Sequence, residues 1–272
     1  MTDSAVSNKL NKTSKVEGSG KRTGSNVLTY TVLVVFTVVM AFPFIWMLST
    51  SLKPDGTLMQ IPPQIIPEMF DWANYGEVWM GKNFSRYTFN SVFVLVFDML
   101  GMLLSCAIVA YGLALFKFRG RSIIFIGMLG TLILPGQVTL VPTYFIWKTL
   151  GMLDSSYFGK AFGIFLLHQY FKSLPRELYD AAWVDGANPF QIFYKIYLPL
   201  SLPALGTLGI FTFISSWNDT IGPLIYLVNN QLYTLPVALL YLKGDTYTDM
   251  TVVMAGSVIT TLPVITVFIM AQ

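Results

Sequence analysis

Few residues in this chain are of types that do covalent chemistry, and they are scattered. Its 272 residues hold one cysteine and one histidine, Cys106 and His168. A lone thiol closes no intrachain disulfide, and no Cys/His cluster offers a metal site. There is no Gly-rich phosphate loop and no Walker motif, so the chain is not itself an ATPase. What remains is a set of polar side chains inside apolar stretches, and one short run in which acids, alanines and a glycine recur at close spacing.

The polar residues invite binding. Asp98 lies inside an apolar run, where a carboxylate is expensive and by default a functional candidate; a neutral acid, or one paired with a polar group on another subunit, is the other reading. Trp217-Asn218-Asp219 places an aromatic face beside an amide and a carboxylate, groups that suit sugar hydroxyls. The same trio also serves as a helix kink held by polar packing. Gln137 follows Pro135-Gly136, and broken helices at membrane depth are tolerated where they line a cavity; interhelical packing accounts for it equally. Tyr144 reads as path lining or as an interfacial belt residue. Asp98, Gln137, Tyr144, Trp217, Asn218 and Asp219 are therefore the candidate path residues. His168 has no partner in sight and reads as structural.

These residues need elements to hold them, and composition names the kind. The chain is 54% hydrophobic and 11% charged, with mean hydropathy +0.61, against about 25% charged in ordinary soluble domains. That places it among membrane proteins, in contact with lipid. A net charge of +3 is too small to suggest nucleic-acid binding, and no Lys/Arg stripe with interleaved aromatics is present. Met1–Asn26 is polar and reads as a disordered tail. The apolar run after it is too long for a signal-peptide core. The remainder, 27–272, reads as one transmembrane domain.

A helix needs about 20 apolar residues to cross the hydrocarbon. Val27–Ser49, Thr88–Phe116, Ile123–Trp147, Leu200–Leu227 and Met250–Ala271 meet or approach that length. Tyr157–Phe171 is apolar but would reach only about 22 Å. Lys and Arg concentrate in the tail, in Phe116–Arg121 and in Lys172–Lys195. The positive-inside rule puts all three in the cytoplasm if Tyr157–Phe171 also spans, which makes six spans with both termini inside. The Lys53–Tyr87 loop is then external. No inverted repeat of the kind found in many secondary transporters is visible.

The acid–alanine–glycine run sits in the basic loop 173–199. Pro175 suits a first turn, and Glu177 and Asp180 favour a helix N-terminal half. Gly186 suits a left-handed C-cap. Asn188-Pro189 reads as an N-cap and first helical residue, and Phe190, Phe193 and Ile196/Tyr197 recur at helical spacing. The expectation is two short helices hinged at Gly186, with Trp183 as an anchor for a groove on another protein. A loop that merely connects two spans is the bland alternative.

This segment resembles the EAA signature of ABC importer permeases through Asp180-Ala181-Ala182, Asp185-Gly186-Ala187, Phe193 and Leu198-Pro199. Asp180 stands where the signature usually has Glu, an acid shorter by one methylene. The resemblance implies an all-α permease of the type I importer fold, with a coupling helix seated in a cleft of an ATPase subunit through Glu177, Asp180, Ala181, Ala182, Trp183, Asp185, Gly186 and Ala187. It also implies that ATP and Mg are bound by a partner ATPase dimer, with no cofactor, catalytic residue or metal in this chain.

Beyond Val27 the chain is similar to the second permease of maltose-type carbohydrate importers. The shared segments are Ser51-Leu52-Lys53-Pro54, Asn74-Tyr75, Asn90-Ser91, Ala110-Tyr111-Gly112-Leu113-Ala114, Leu134-Pro135-Gly136-Gln137, Phe165-Leu166-Leu167, Trp217-Asn218-Asp219 and Tyr233-Thr234-Leu235-Pro236. That likeness implies a bacterial inner-membrane subunit forming half of a path for a sugar or oligosaccharide. Its partners would be a second, homologous permease, the ATPase dimer and an extracellular sugar-binding protein. A polyol or glycerol phosphate is the alternative cargo, and a secondary transporter the rival mechanism. The family has a longer connection before Phe165; residues are expected to be missing near Asp154–Tyr157, a truncated helix being the other reading. A Cα–Cα step well beyond about 3.8 Å would mark the gap.

Overall fold

The computed structural model describes residues 20–56, 64–150, 161–245 and 248–272. The described secondary structure is helical throughout. In chain order the elements are α1 (Gly20–Ser51), the short α2 (Ala73–Gly76) running into a π turn (Glu77–Gly81), α3 (Phe84–Leu115), α4 (Arg121–Ile133), α5 (Gly136–Thr149), α6 (Ala161–Ser173), α7 (Glu177–Val184), α8 (Pro189–Leu200), α9 (Leu202–Trp217), α10 (Ile221–Tyr226), a 3-10 turn (Asn230–Leu232), α11 (Leu235–Gly244) and α12 (Met250–Ala271).

Three helices are long and apolar enough to cross a membrane unaided: Thr29–Ser51 of α1, α3 and α12. Two bent pairs, α4 with Val138–Ile146 of α5 (114°) and α8 with α9 (73°), raise the number of candidate spans to as many as five. Several expectations are adjusted by this. Helix α1 begins at Gly20, so residues 20–26 continue the helix rather than the tail. The third predicted span is broken where Pro135, which has no N–H to donate, occupies an extended conformation between α4 and α5. The fifth, Leu200–Leu227, is interrupted at Asn218–Thr220. Helix α6 has 13 described residues, about 20 Å of rise. Asp154–Tyr157, where a gap is expected, lies outside the described residues.

Helix α3 is the spine. Its 32 residues extend about 48 Å, and a separate core forms on each half. The C-terminal half joins α6, α7, α8 and the start of α9 through Met102, Cys106, Ala110, Tyr111, Leu167, Phe171, Ile192, Phe193, Tyr197 and Leu208. The N-terminal half joins the π turn, the end of α9, α11 and α12 through Val78, Phe84, Leu95, Phe213, Trp217, Leu235, Leu242 and Val252. Gly163 lets α6 approach closely. A β-carbon there would lie 2.8 Å from Cys106 Sγ and 3.1 Å from both Leu208 methyls, inside ordinary contact distance.

Helix α1 is apolar around most of its circumference and exposed from Tyr30 through Phe44, as a lipid-facing span is. It packs against α12, and its C-terminal end is held by polar contacts among the family segments. Thr50, Ser51, Leu52 and Lys53 are buried. Asn74 Nδ2 donates to the carbonyls of Ser51 and Lys53 at 3.1 and 2.9 Å, and the Ser51 and Tyr75 hydroxyls meet at 2.7 Å. Lys53 Nζ donates to the Gln64 carbonyl at 2.6 Å and stands 4.6 Å from the Trp46 ring centre, a cation–π distance. Ser51-Leu52-Lys53-Pro54 and Asn74-Tyr75 thus meet as a clip.

Candidate functional site

The unit between α6 and α9 is built almost wholly from local sequence. Glu177 and Asp180 fall in the first turn of α7, where carboxylates complement the helix dipole. At its C-terminus Gly186 adopts φ +82°. The Ala187 N–H donates to the Ala182 carbonyl at 3.0 Å and the Gly186 N–H to the Trp183 carbonyl at 3.1 Å. Those two bonds are the Schellman pattern, which satisfies carbonyls the helix end leaves open. Two residues later Asn188 opens α8 with a reciprocal capping box: Gln191 N–H to Asn188 Oδ1 at 2.8 Å, and Asn188 N–H to Gln191 Oε1 at 2.9 Å. Pro189 takes the first helical position. Both helix ends are closed without outside help, so the hinge is a rigid corner.

This corner has two faces. Ala182, Ile192, Phe193 and Tyr197 are buried in the α3–α6 core. Trp183 is 55% exposed, Val184 85% and Phe190 70%, and Glu177, Asp180, Ala181, Asp185 and Gly186 are exposed beside them. Trp183 stacks on Tyr179, centroids 6.1 Å apart and rings within 12° of parallel. Three carboxylates and a contiguous apolar surface are therefore presented outward, and the acids form no ion pair among the described residues. Ala182 differs from the other expected contact residues: it faces inward and seats the corner. Ala187 is half-buried.

The structure adds a residue that the sequence reading quoted only as part of a family segment. Tyr111, near the C-terminus of α3, donates its hydroxyl to the Pro189 carbonyl at 2.9 Å. Its ring packs against Phe193 (4.9 Å), Tyr197 (5.4 Å), Phe116 (5.6 Å) and Phe171 (6.2 Å). Three helices, α3, α6 and α8, meet on this one ring, so the corner and α3 are mechanically joined. Nothing local to Ala110-Tyr111-Gly112 signals that contact, because all its partners but Phe116 lie about sixty to ninety positions further along the chain.

Within α8 the backbone widens into a π turn at Phe193–Tyr197. Pro199 and Pro203 follow, and the chain turns by 73° into α9. Prolines and π turns are recognised causes of such bends. The corner thus adjoins α9 through a 73° bend.

The expected path residues are dispersed. Asp98, midway along α3, is half-buried, with no hydrogen bond or ion pair to any described residue. Tyr144 on α5 packs against Tyr226 of α10 at 6.1 Å, and Lys148 Nζ lies 5.9 Å from its ring centre. Gln137 occupies the first turn of α5. Trp217 belongs to the core rather than to a path wall: it is 3% exposed, lies flat on Phe213 at 5.9 Å, and gives its indole N–H to the Thr260 carbonyl at 3.0 Å. Asn218 and Asp219 are exposed. Asn218 Nδ2 donates to the Ile214 carbonyl at 2.8 Å, and Asp219 Oδ1 accepts the Gly222 N–H at 3.0 Å, opening α10. The trio is a helix break in which the aromatic faces in and the two polar groups face out.

At the other end of α3, two more family segments meet. Asn90 Nδ2 donates to the carbonyls of Gln231 and Tyr233 at 2.8 and 3.0 Å, and the Leu235 N–H donates to Ser91 Oγ at 2.7 Å. Asn90-Ser91 therefore pins Tyr233-Thr234-Leu235-Pro236 to the spine.

Comparison with known proteins agrees with this architecture. No family model matches the chain. A probable ABC transporter permease protein of Bacillus subtilis, YurM, is 32% identical over 241 residues, covering 86% of this chain and 80% of that protein. The arabinooligosaccharides transport system permease protein AraQ of the same organism is 32% identical over 240 residues, covering 85% of each. Among solved structures, a chain of a bacterial ABC transporter involved in the import of the acidic polysaccharide alginate superposes with a TM-score of 0.83 at 27% identity, covering 94% of this chain and 98% of that one. With its rigid, outward-facing corner and its helical membrane architecture, the chain belongs to the permease subunits of binding-protein-dependent ABC importers.

Proposed function

We propose that this chain forms half of a translocation path for a sugar or oligosaccharide, handed over by an extracellular binding protein and driven inward by ATP hydrolysed on a partner ATPase dimer. The observation that carries the reading is the self-capped corner at Gly186, which offers an uncovered apolar and acidic face while its back is locked to α3 through Tyr111. Loop 173–199 would seat Glu177, Asp180, Ala181, Trp183, Asp185, Gly186 and Ala187 against the ATPase, with Ala182 supporting them from behind. Closure of the ATPase pair would then move α3. The cargo class is supported by relatives whose names specify arabinooligosaccharides and alginate.

In this reading six helices span a bacterial inner membrane, α6 being the short fourth span, and both termini are cytoplasmic. A second, homologous permease supplies the other wall of the path, and Asp98, Gln137, Tyr144, Asn218 and Asp219 are its candidate polar groups on this side. ATP and Mg belong to the ATPase subunits.

The test is co-purification followed by reconstitution. The chain is expected to co-purify with an ATPase, and Asp180→Lys, which reverses charge on the exposed face, is expected to stay in the membrane while substrate uptake per ATP hydrolysed falls at least tenfold. Uptake by the lone chain in liposomes, or unaltered coupling in Asp180→Lys, would refute it.

A further inference from the structure

At the Phe84 end of α3, opposite the corner, the start of α3 and three short elements border a half-open cavity of about 380 Å³, lined among others by Lys82, Tyr87, Asn230, Tyr233, Tyr241 and Asp245. Its walls are held by construction: Asn90 fixes the carbonyls flanking Leu232, and Asn229 Oδ1 closes the 3-10 turn on the Gln231 N–H at 2.9 Å. Asn83 sits between the π turn and α3 at φ +57°, a backbone region that non-glycine residues enter infrequently. A rim that combines a left-handed asparagine, a π turn and a 3-10 turn is pre-organised at some conformational cost, and such strain clusters at ligand sites.

The lining has a defined chemistry. Its charges are internally compensated: Lys82 Nζ lies 3.6 Å from Asp245 Oδ2 and donates to Thr248 Oγ1 at 3.1 Å, while Thr248 donates to Asp245 at 2.6 Å. The cavity therefore does not call for a charged ligand. Tyr233 and Tyr241 stack at 5.2 Å with rings 9° apart. Tyr241 remains 53% exposed, so aromatic surface is left over on that pair. Tyr233 donates its hydroxyl to Tyr241 Oη at 3.3 Å, and this bond holds the Tyr233 phenol above its ordinary range and neutral. The Asn230 carboxamide and the Tyr87 hydroxyl line the cavity without a hydrogen-bond partner among the described residues.

We propose that this cavity is a subsite for a single neutral glycosyl unit of the transported saccharide, with Tyr241 as the aromatic platform and Asn230 and Tyr87 as the groups that bond its hydroxyls. The inference rests on the reading of the cargo as a saccharide. The volume lies at the small end of the roughly 300–1,000 Å³ of ligand pockets, which fits one ring rather than a chain. An aromatic face answers the C–H face of a pyranose or furanose. An unpartnered amide and phenol answer its hydroxyls. Apolar ligands would leave those groups unsatisfied on burial. Such a site lies at the opposite end of the spine from the corner, about 40 Å from Tyr111 along α3, where a solute would arrive.

The experiment uses the assembled transporter without its binding protein, and saturation-transfer NMR with arabinotriose, diacetylchitobiose and maltose as probes. Uptake of the same three sugars by proteoliposomes, with binding protein supplied, runs in parallel. At least one transported probe should give saturation transfer. Tyr241→Ala and Asn230→Ala should each weaken it roughly three- to tenfold, whereas Tyr241→Phe, which keeps the ring, should retain most of it. Should Tyr241→Ala fail to assemble, Asn230→Ala on its exposed turn decides alone. A transported sugar whose binding is unchanged in Asn230→Ala and Tyr241→Ala overturns the subsite and leaves the saccharide reading standing. Uptake of a non-saccharide solute with none of the three probes taken up overturns both.

Discussion

Gly186 allows the source of a coupling defect to be separated into two parts. Its φ of +82° is a left-handed conformation, and a β-carbon built there meets nothing within 4 Å. Within this chain, replacement therefore meets no steric obstacle, and the penalty is the backbone term alone, about 1–2 kcal/mol for a residue with a β-carbon. If the docked geometry must be kept, that penalty lowers the population of the competent corner by roughly 5- to 30-fold. Gly186→Ala should therefore weaken association with the ATPase subunits by that factor, and Gly186→Asn, which tolerates the left-handed region better, by less. Gly186→Leu has the same backbone penalty as Ala and no clash in this chain, so any further loss in Leu over Ala measures a wall on the partner. The assay is titration of ATPase subunits onto reconstituted permease, with uptake and ATP hydrolysis read in parallel. Equal affinity for wild type and Gly186→Ala would refute the argument, since the corner would then not need its left-handed residue. Leu equal to Ala would show that no partner surface closes over Gly186.

Gly163→Ala should overpack the α3–α6–α9 junction by about 1–3 kcal/mol, seen as a lower melting temperature of the purified complex; Cys106→Ala in the same chain should restore much of the loss, because the added carbon is directed at Cys106 Sγ 2.8 Å away. Trp217→Phe should lower thermal stability by about 1 kcal/mol through loss of the bond to Thr260 while leaving the uptake KM unchanged; a raised KM with unchanged stability would return Trp217 to the path wall.

The corner was legible in the sequence because its determinants are local. Gly186, Asn188 and Pro189 each act within a turn of their own position, and the two helices hinged at Gly186 appear as expected; Pro175, expected in the first turn, stands ahead of the Arg176 N-cap instead. The break at Pro135 was legible for the same reason. Phe193 and Tyr197 turned inward as their spacing implied, but Phe190, on the first turn of α8, stays 70% exposed. The inward turn of Trp217 was not legible, because hydropathy marks a polar interruption without saying which side of the helix each residue takes; of the two readings of the trio, the structure shows the helix break. The clip around Lys53 and the joint at Tyr111 depend on partners far along the chain, and neither periodicity nor capping rules report such contacts. The span expected over Tyr157–Phe171 is only partly described, as the 13 residues of α6, the residues just before Ala161 lying outside the described ones.

The spine also has a lever's geometry. Asp98 divides α3 almost evenly: Tyr111 lies about 20 Å along the axis on one side and Phe84 about 21 Å on the other. Any tilt of α3 as a rigid rod about its middle moves its ends by similar amounts in opposite directions, about 3.5 Å each for a tilt of about 10°. Tyr111 carries the corner and Phe84 is part of the cavity wall at the far end. A push on the one would therefore reshape the other with no relay of side chains between them, as a seesaw transmits motion through its plank.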